Sequence, residues 1–266
     1  MHPGTAHPAV PTAWGRALLR RAASWWWLLQ FFAIVLVMAL SPSSYRQRQR
    51  ATLAQCIYTS TWQVLPWFTA LSALLSLVLI RIVIATALSY GLSQYALQMV
   101  VRVLVLELIP LSAALFVALR SGLTFSAAGV DDALQVHAFS APRPSLERLR
   151  NELVPQILAD AFSVLALATV SSAVALVLAY LAVHGLSLWG LPGYTRTVGQ
   201  VFNLPVTLGF GLKTIFFSLA VAVVPVAARL EAQGPAASSG TMQPGAVRLF
   251  LVLLLIETTS LVVKYI

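Results

Sequence analysis

The chain has 266 residues, of which 59% are hydrophobic and only 9% charged, and its mean hydropathy is +0.85. A soluble domain of this size would have too little polar surface to cover itself, so a water-soluble class is excluded and an all-α polytopic membrane protein is expected. The formal charge of +9 does not indicate a nucleic-acid partner, because the arginines stand at the ends of apolar runs and not in one patch, where they read as topology signals and anionic-lipid contacts.

The first dozen residues are rich in Pro and Ala and read as a disordered tail. Arg16, Arg20 and Arg21 then precede Trp25, Trp26 and Trp27 and an apolar stretch to Leu40, and Arg46, Arg48 and Arg50 follow it. A spanning helix would put one of these clusters on the wrong face. An interfacial helix over 24–40 keeps both in the cytoplasm and leaves the tryptophans at headgroup level, so residues 1–50 are read as a cytoplasmic tail plus interfacial helix. A cleaved signal peptide, with Ala39-Leu40-Ser41 as its small-residue site, and a further span are the alternatives. Cys56 is the only cysteine, which excludes an internal disulfide.

From Trp62 onward the apolar runs are long enough to cross a bilayer, and spans are expected at about 62–88, 95–120, 153–184, 201–228 and 246–266. Ser89 to Gln94 carries no charge and the loop from Gly185 to Gly199 carries only Arg196. The segment between the second and third spans holds Arg120, Arg143, Arg148 and Arg150, and Arg229 and Arg248 bracket the last long loop. The positive-inside rule therefore puts the N-terminus and these two segments in the cytoplasm and the C-terminus outside, with Lys264 snorkelling at a helix end.

Inside the second span, Glu107 is followed three residues later by Pro110. An ionisable group at membrane depth must face a partner or a hydrated cavity. Pro110 removes a backbone hydrogen bond and is expected to kink the helix beside the carboxylate. Two readings stand at this point, a cavity lined by Glu107 or a structural ion pair with an arginine on a neighbouring helix. In the third span Ser171, Ala175 and Ala179 repeat at four-residue spacing, with Ala168 and Ser172 alongside, which reads as close helix packing. The fourth span opens with Asn203-Leu204-Pro205 and carries Lys213 after Gly209 and Gly211, glycines expected to thin the helix against a neighbour. Glu257 lies in the last span, and Asp160 and Arg81 are further charges in apolar surroundings. The four histidines, His2, His7, His137 and His184, are not spaced as ligands, so no metal, cofactor or catalytic site is read. A phosphate-binding Gly-x-x-x-x-Gly-Lys loop is missing and the cytoplasmic segments are short, so any ATP hydrolysis must come from a separate subunit.

Between the second and third spans, Asp131-Asp132-Ala133-Leu134-Gln135-Val136-His137 follows Gly129, and the acidic pair suits the first turn of a short helix. Pro142 and Pro144 end it. The segment 127–139 is thus either a coupling helix that receives force from a separate motor or an ordinary loop.

The pattern Glu107, Leu108, Pro110, Leu111, Ala114, Leu115, Arg120, Gly122 resembles the hallmark region of MlaE-type permeases, the membrane subunits of MCE-associated ABC transporters. Gly211-Leu212-Lys213-Thr214-Ile215-Phe216-Phe217 resembles a segment of the family's fourth span, and Asp132-Ala133-Leu134 resembles part of its coupling helix. The resemblance covers residues from about 50 to the C-terminus. The family's arginine before the glutamate is replaced by Leu106, the nearest being Arg102, and its conserved stretch before Asp132 is replaced by Leu123 to Val130.

The resemblance implies a permease domain over 51–266 in the bacterial inner membrane, with an N-terminal interfacial helix, five spans and a coupling helix. It implies a homodimer that moves phospholipid between inner and outer membranes together with a cytoplasmic ABC ATPase, a periplasmic MCE-domain protein and, as a further candidate, a STAS-domain protein. Glu107, Pro110, Arg102 and Lys213 are then the expected lipid-cavity residues, and Asp131, Asp132, Leu134 and Val136 the expected ATPase contacts. A scaffold subunit without transport activity and an intramembrane lipid-acting enzyme are the alternatives.

Overall fold

Five apolar runs form helices long enough to cross a bilayer in the computed structural model, at Leu65–Ser89, Tyr95–Ser121, Pro155–His184, Leu204–Ala228 and Gly245–Lys264. Residues 61–121, 154–232 and 245–265 are described, together with single positions at 26, 30, 33, 37, 55, 57 and 58, and among these there is no strand. Of the expected interfacial helix over 24–40 only positions 26, 30, 33 and 37 are described, and the coupling segment 127–139, with Asp131, Asp132, Leu134 and Val136, lies outside the described residues. In chain order the helices are α1 (Leu65–Ser89), α2 (93–121), α3 (Val154–His184), α4 (Leu191–Val201), α5 (Leu204–Ala232) and α6 (Gly245–Tyr265).

Successive spans run antiparallel, and the turn between α1 and α2 shows why it can be short. Gly91 takes a left-handed φ of 70°, its N–H donates to Leu88 O and that of Leu92 to Ala87 O, so the last carbonyls of α1 are satisfied within three residues. This turn, α4 and the C-terminal end of α6 share one end of the bundle, called here the α4 end.

The stretch after Gly185, expected to be a loop, is instead a short 3-10 turn over Leu188–Gly190 followed by α4. Pro192 presets the first turn of α4, and Tyr194 and Val201, seven residues apart, bury one face of it against α2 and the start of the bundle. The Tyr194 hydroxyl donates to Leu176 O at 2.7 Å, and burial pushes that phenol up to about 12. Asn203 then caps α5 by accepting from the Val206 N–H at 3.0 Å.

Two apolar clusters hold the bundle. One gathers Phe68 of α1, Ala113 and Val117 of α2, Leu167 of α3, Phe217 and Val221 of α5 and Leu253 of α6. The other, nearer the α4 end, joins Ile80, Leu104 and Ile109 to Ala175, Ala179, Tyr194 and Val201. The small-residue strip of α3 packs as expected: Ala168, Ser171, Ser172, Ala175 and Ala179 are all buried. The apolar window of α2 is 56% buried and that of α5 61%, against 22% for α1 and 17% for α6, so α2 and α5 are the inner helices of the bundle.

The distortion expected at Pro110 takes the form of a widened helix, not a simple kink: Val101–Leu108 is π-helical. Proline has no N–H to give Leu106 O, its α-helical partner, and its ring crowds that carbonyl, and a wider turn relieves the crowding. The sequence places this defect beside Glu107.

Candidate functional site

The two inner helices carry a half-buried carboxylate, Glu107, and a buried ammonium, Lys213, and the two groups face each other. Lys213 of α5 is only 3% exposed, and its ammonium forms an ion pair with Glu107 of α2. The same Nζ lies 2.7 Å from Glu257 Oε2 of α6, donates to Leu106 O at 3.5 Å and sits 5.6 Å from the centre of the Phe217 ring. Pro110 deprives Leu106 O of its helical donor, so the widened turn of α2 offers the lysine an acceptor as well as a carboxylate. From the last turn of α6, Lys264 Nζ reaches back to Glu107 Oε1 at 2.7 Å. Among the described residues, two carboxylates and two ammonium groups thus form one cluster, formally neutral when all four are ionised.

Glu107, Lys213 and Lys264 of this cluster floor a cavity of about 650 Å³, a volume within the range of small-molecule sites, and Glu257 stands behind Lys213 outside its lining. Its walls are apolar, with Phe210, Phe216, Leu255 and Val263 among them, while Glu107, Lys213 and Lys264 supply charge and Asn203, Thr259 and Ser260 supply hydrogen-bonding groups. Lys213 is nine residues into α5 and Glu257 seven residues from Lys264, which puts the floor about 10–14 Å below the α4 end of these helices at 1.5 Å per residue.

Glu107 and Lys213, both expected at the site, meet there. Pro110 does not line the cavity: it is buried in the bundle and acts through the geometry of α2. Arg102 does not line it either, since it projects from α2 as an exposed side chain more than a turn before Glu107. Ion pairing by an arginine on a neighbouring helix, the structural alternative for Glu107, is replaced by pairing with two lysines. Gly209 and Gly211 do not admit a close neighbour within the chain, because a Cβ on either would meet nothing within 4 Å, and Gly209 opens onto the cavity. Asp160 has a different role, accepting a hydrogen bond from Ser121 at 3.2 Å, and Arg81 is exposed.

Glu257 and Lys264 were not read as site residues, although a signal for them exists. Glu257, Ser260 and Lys264 fall at i, i+3 and i+7, which lines one face of an otherwise apolar helix with polar groups. Among the described residues no group of three His, Cys, Asp or Glu side chains could hold a metal ion.

A buried ionic cluster is a costly way to hold helices together, since apolar packing of the same volume is often as stable or more so. Its position under an open apolar cavity suits an amphiphile whose chains lie along the walls and whose head reaches the floor. The family model described as Permease MlaE matches residues 53–263 of the chain. No curated protein matches it.

Proposed function

From the premise that the chain belongs to the MlaE permease family, and so is the permease subunit of an ABC transporter, we propose that it carries phospholipid between the inner and outer membranes of a bacterial cell. The observation that carries this reading is the 650 Å³ apolar cavity floored by the paired Glu107, Lys213 and Lys264. Apolar walls take acyl chains, and the buried charges and hydroxyls give a polar head partners that bare hydrocarbon lacks.

The charge rule orients the α4 end toward the periplasm, so the cavity opens outward and receives or delivers lipid on that side. A second copy of the chain closes its open flank, an MCE-domain protein continues the path through the periplasm, and a STAS-domain protein joins on the cytoplasmic side. A cytoplasmic ATPase drives the cycle through 127–139, with Leu134 and Val136 as apolar anchors and Asp131 and Asp132 facing basic residues. Squeezing the cavity from that side shifts the protein between a lipid-accepting and a lipid-expelling state.

Gly209 supplies the test. A side chain there starts in open space and extends into the cavity, and replacing a helical glycine also removes a backbone-entropy cost of about 1 kcal/mol. Gly209→Trp should therefore purify as a folded protein with wild-type thermal stability, retain little phospholipid after detergent extraction, and abolish lipid transfer by the assembled transporter. Undiminished lipid retention and transfer in that variant would overturn the lipid-cavity reading and leave a scaffold role in its place.

A further inference from the structure

Resting on the lipid reading of the cavity, the geometry points to a headgroup preference: the Glu107–Lys264 ion pair opens to admit a zwitterionic ammonium phosphodiester head, whose phosphate passes to Lys264 and whose ammonium passes to Glu107. The cluster divides into a fixed and an exchangeable part. Lys213 is 3% exposed and holds Glu107 through Oε2 and Glu257 through Oε2, so it is committed to two carboxylates and has no room to move. Lys264 is 18% exposed, stands in the last turn of α6 on a flexible stem, and engages the other oxygen of Glu107, Oε1. Its departure frees one carboxylate oxygen and leaves the second paired.

The vacated place accepts what left it. A lysine side chain ends in a primary ammonium on a methylene, and so does an ethanolamine head, so the replacement is chemically like for like, whereas a quaternary amine has no N–H to donate to Glu107 Oε1. The released Lys264, with Ser260 and Thr259 on the same wall, presents a cation and two hydroxyls to the phosphate.

Charge balance supplies the selectivity. With two carboxylates and two ammonium groups the floor is neutral, and it stays neutral when a zwitterion exchanges into it. A head of net charge −1 leaves one uncompensated negative charge about 10 Å below the helix ends, where such charges are strongly disfavoured.

The test offers full-length chain, purified in detergent, equal amounts of phosphatidylethanolamine and phosphatidylglycerol in mixed micelles, and quantifies both lipids retained after repurification. Wild type should retain about tenfold more of the ethanolamine lipid, the scale of one charge-assisted hydrogen bond. Lys264→Met, which leaves the cluster at −1 and removes the cation offered to the phosphate, should retain less of both lipids while keeping an ethanolamine excess at least as large, and Glu107→Gln, which leaves the cluster at +1, should invert the preference toward phosphatidylglycerol. Retention at the input ratio by wild type, or a Lys264→Met protein that favours phosphatidylglycerol, would overturn the inference. The Lys264→Met arm stands alone if Glu107→Gln fails to fold. A wild type that retains neither lipid would instead overturn the lipid reading on which the inference rests.

Discussion

Lys213 is the side chain on which the cluster depends, because among the described residues it alone touches Glu107, Glu257 and the carbonyl of Leu106. Removing one partner of a buried ion pair leaves an uncompensated charge, at a cost of about 3–5 kcal/mol. Lys213→Met is therefore expected to lower the thermal unfolding midpoint in detergent sharply. The double variant Lys213→Met with Glu257→Gln should recover more than half of the loss, since Glu107 still has Lys264. Equal midpoints for the single variant and wild type would show that Glu257 finds another cation. Glu107 and Lys213 stood out in the sequence as charges inside long apolar runs. Their pairing did not, because which neighbour a membrane charge meets depends on helix rotation and crossing, and neither is written in the residues around it.

Among the elements, α4 is the one that overall hydropathy understated. It is eleven residues long, contains Gly193 and Gly199, and is amphipathic but only weakly hydrophobic as a whole. Tertiary burial of Tyr194 and Val201 and the bond from the Tyr194 hydroxyl to Leu176 O hold it in place. Tyr194→Phe should cost about 1 kcal/mol of stability, the usual worth of such a bond. It should also change the alkaline limb. Burial raises the Tyr194 phenol from 10.0 to about 12, so the neutral form is favoured in the folded state. That contribution is fully present below pH 10 and is lost as pH rises through the folded value near 12. Unfolding midpoints between pH 9 and 12 should fall with a shallower slope in Tyr194→Phe than in wild type. Identical slopes would show that Tyr194 ionises as freely in the folded as in the unfolded chain. The widened turn of α2 has the opposite history. Pro110 announced a defect from the sequence, and only the helix as a whole decided that it is absorbed as a π-helical stretch upstream.

At the scale of the whole molecule, the antiparallel order of the spans makes orientation a single binary choice. Single cysteines replacing Ser93 and Ser187, in a Cys56→Ala background, should react with a membrane-impermeant thiol reagent in cells with a permeabilised outer membrane. Cysteines replacing Ser145 and Ser238 should stay unlabelled until the inner membrane is opened. Labelling at position 145 in intact inner membranes would invert the topology and turn the cavity toward the cytoplasm.

Composition and the order of apolar runs were enough to identify a helical membrane protein with five spans, with charge inside the second, fourth and fifth of them. Hydropathy and length are local properties, and the bilayer enforces helices by leaving no other partner for the backbone. Only the packed bundle brings Glu107, Lys213, Glu257 and Lys264, spread over 158 positions of chain, into one ionic cluster that Arg102 does not join. It also decided that Gly209 faces open space and not a neighbouring helix. These outcomes depend on how each helix is rotated about its axis, and that rotation is set by the sum of many weak packing contacts between segments far apart in sequence.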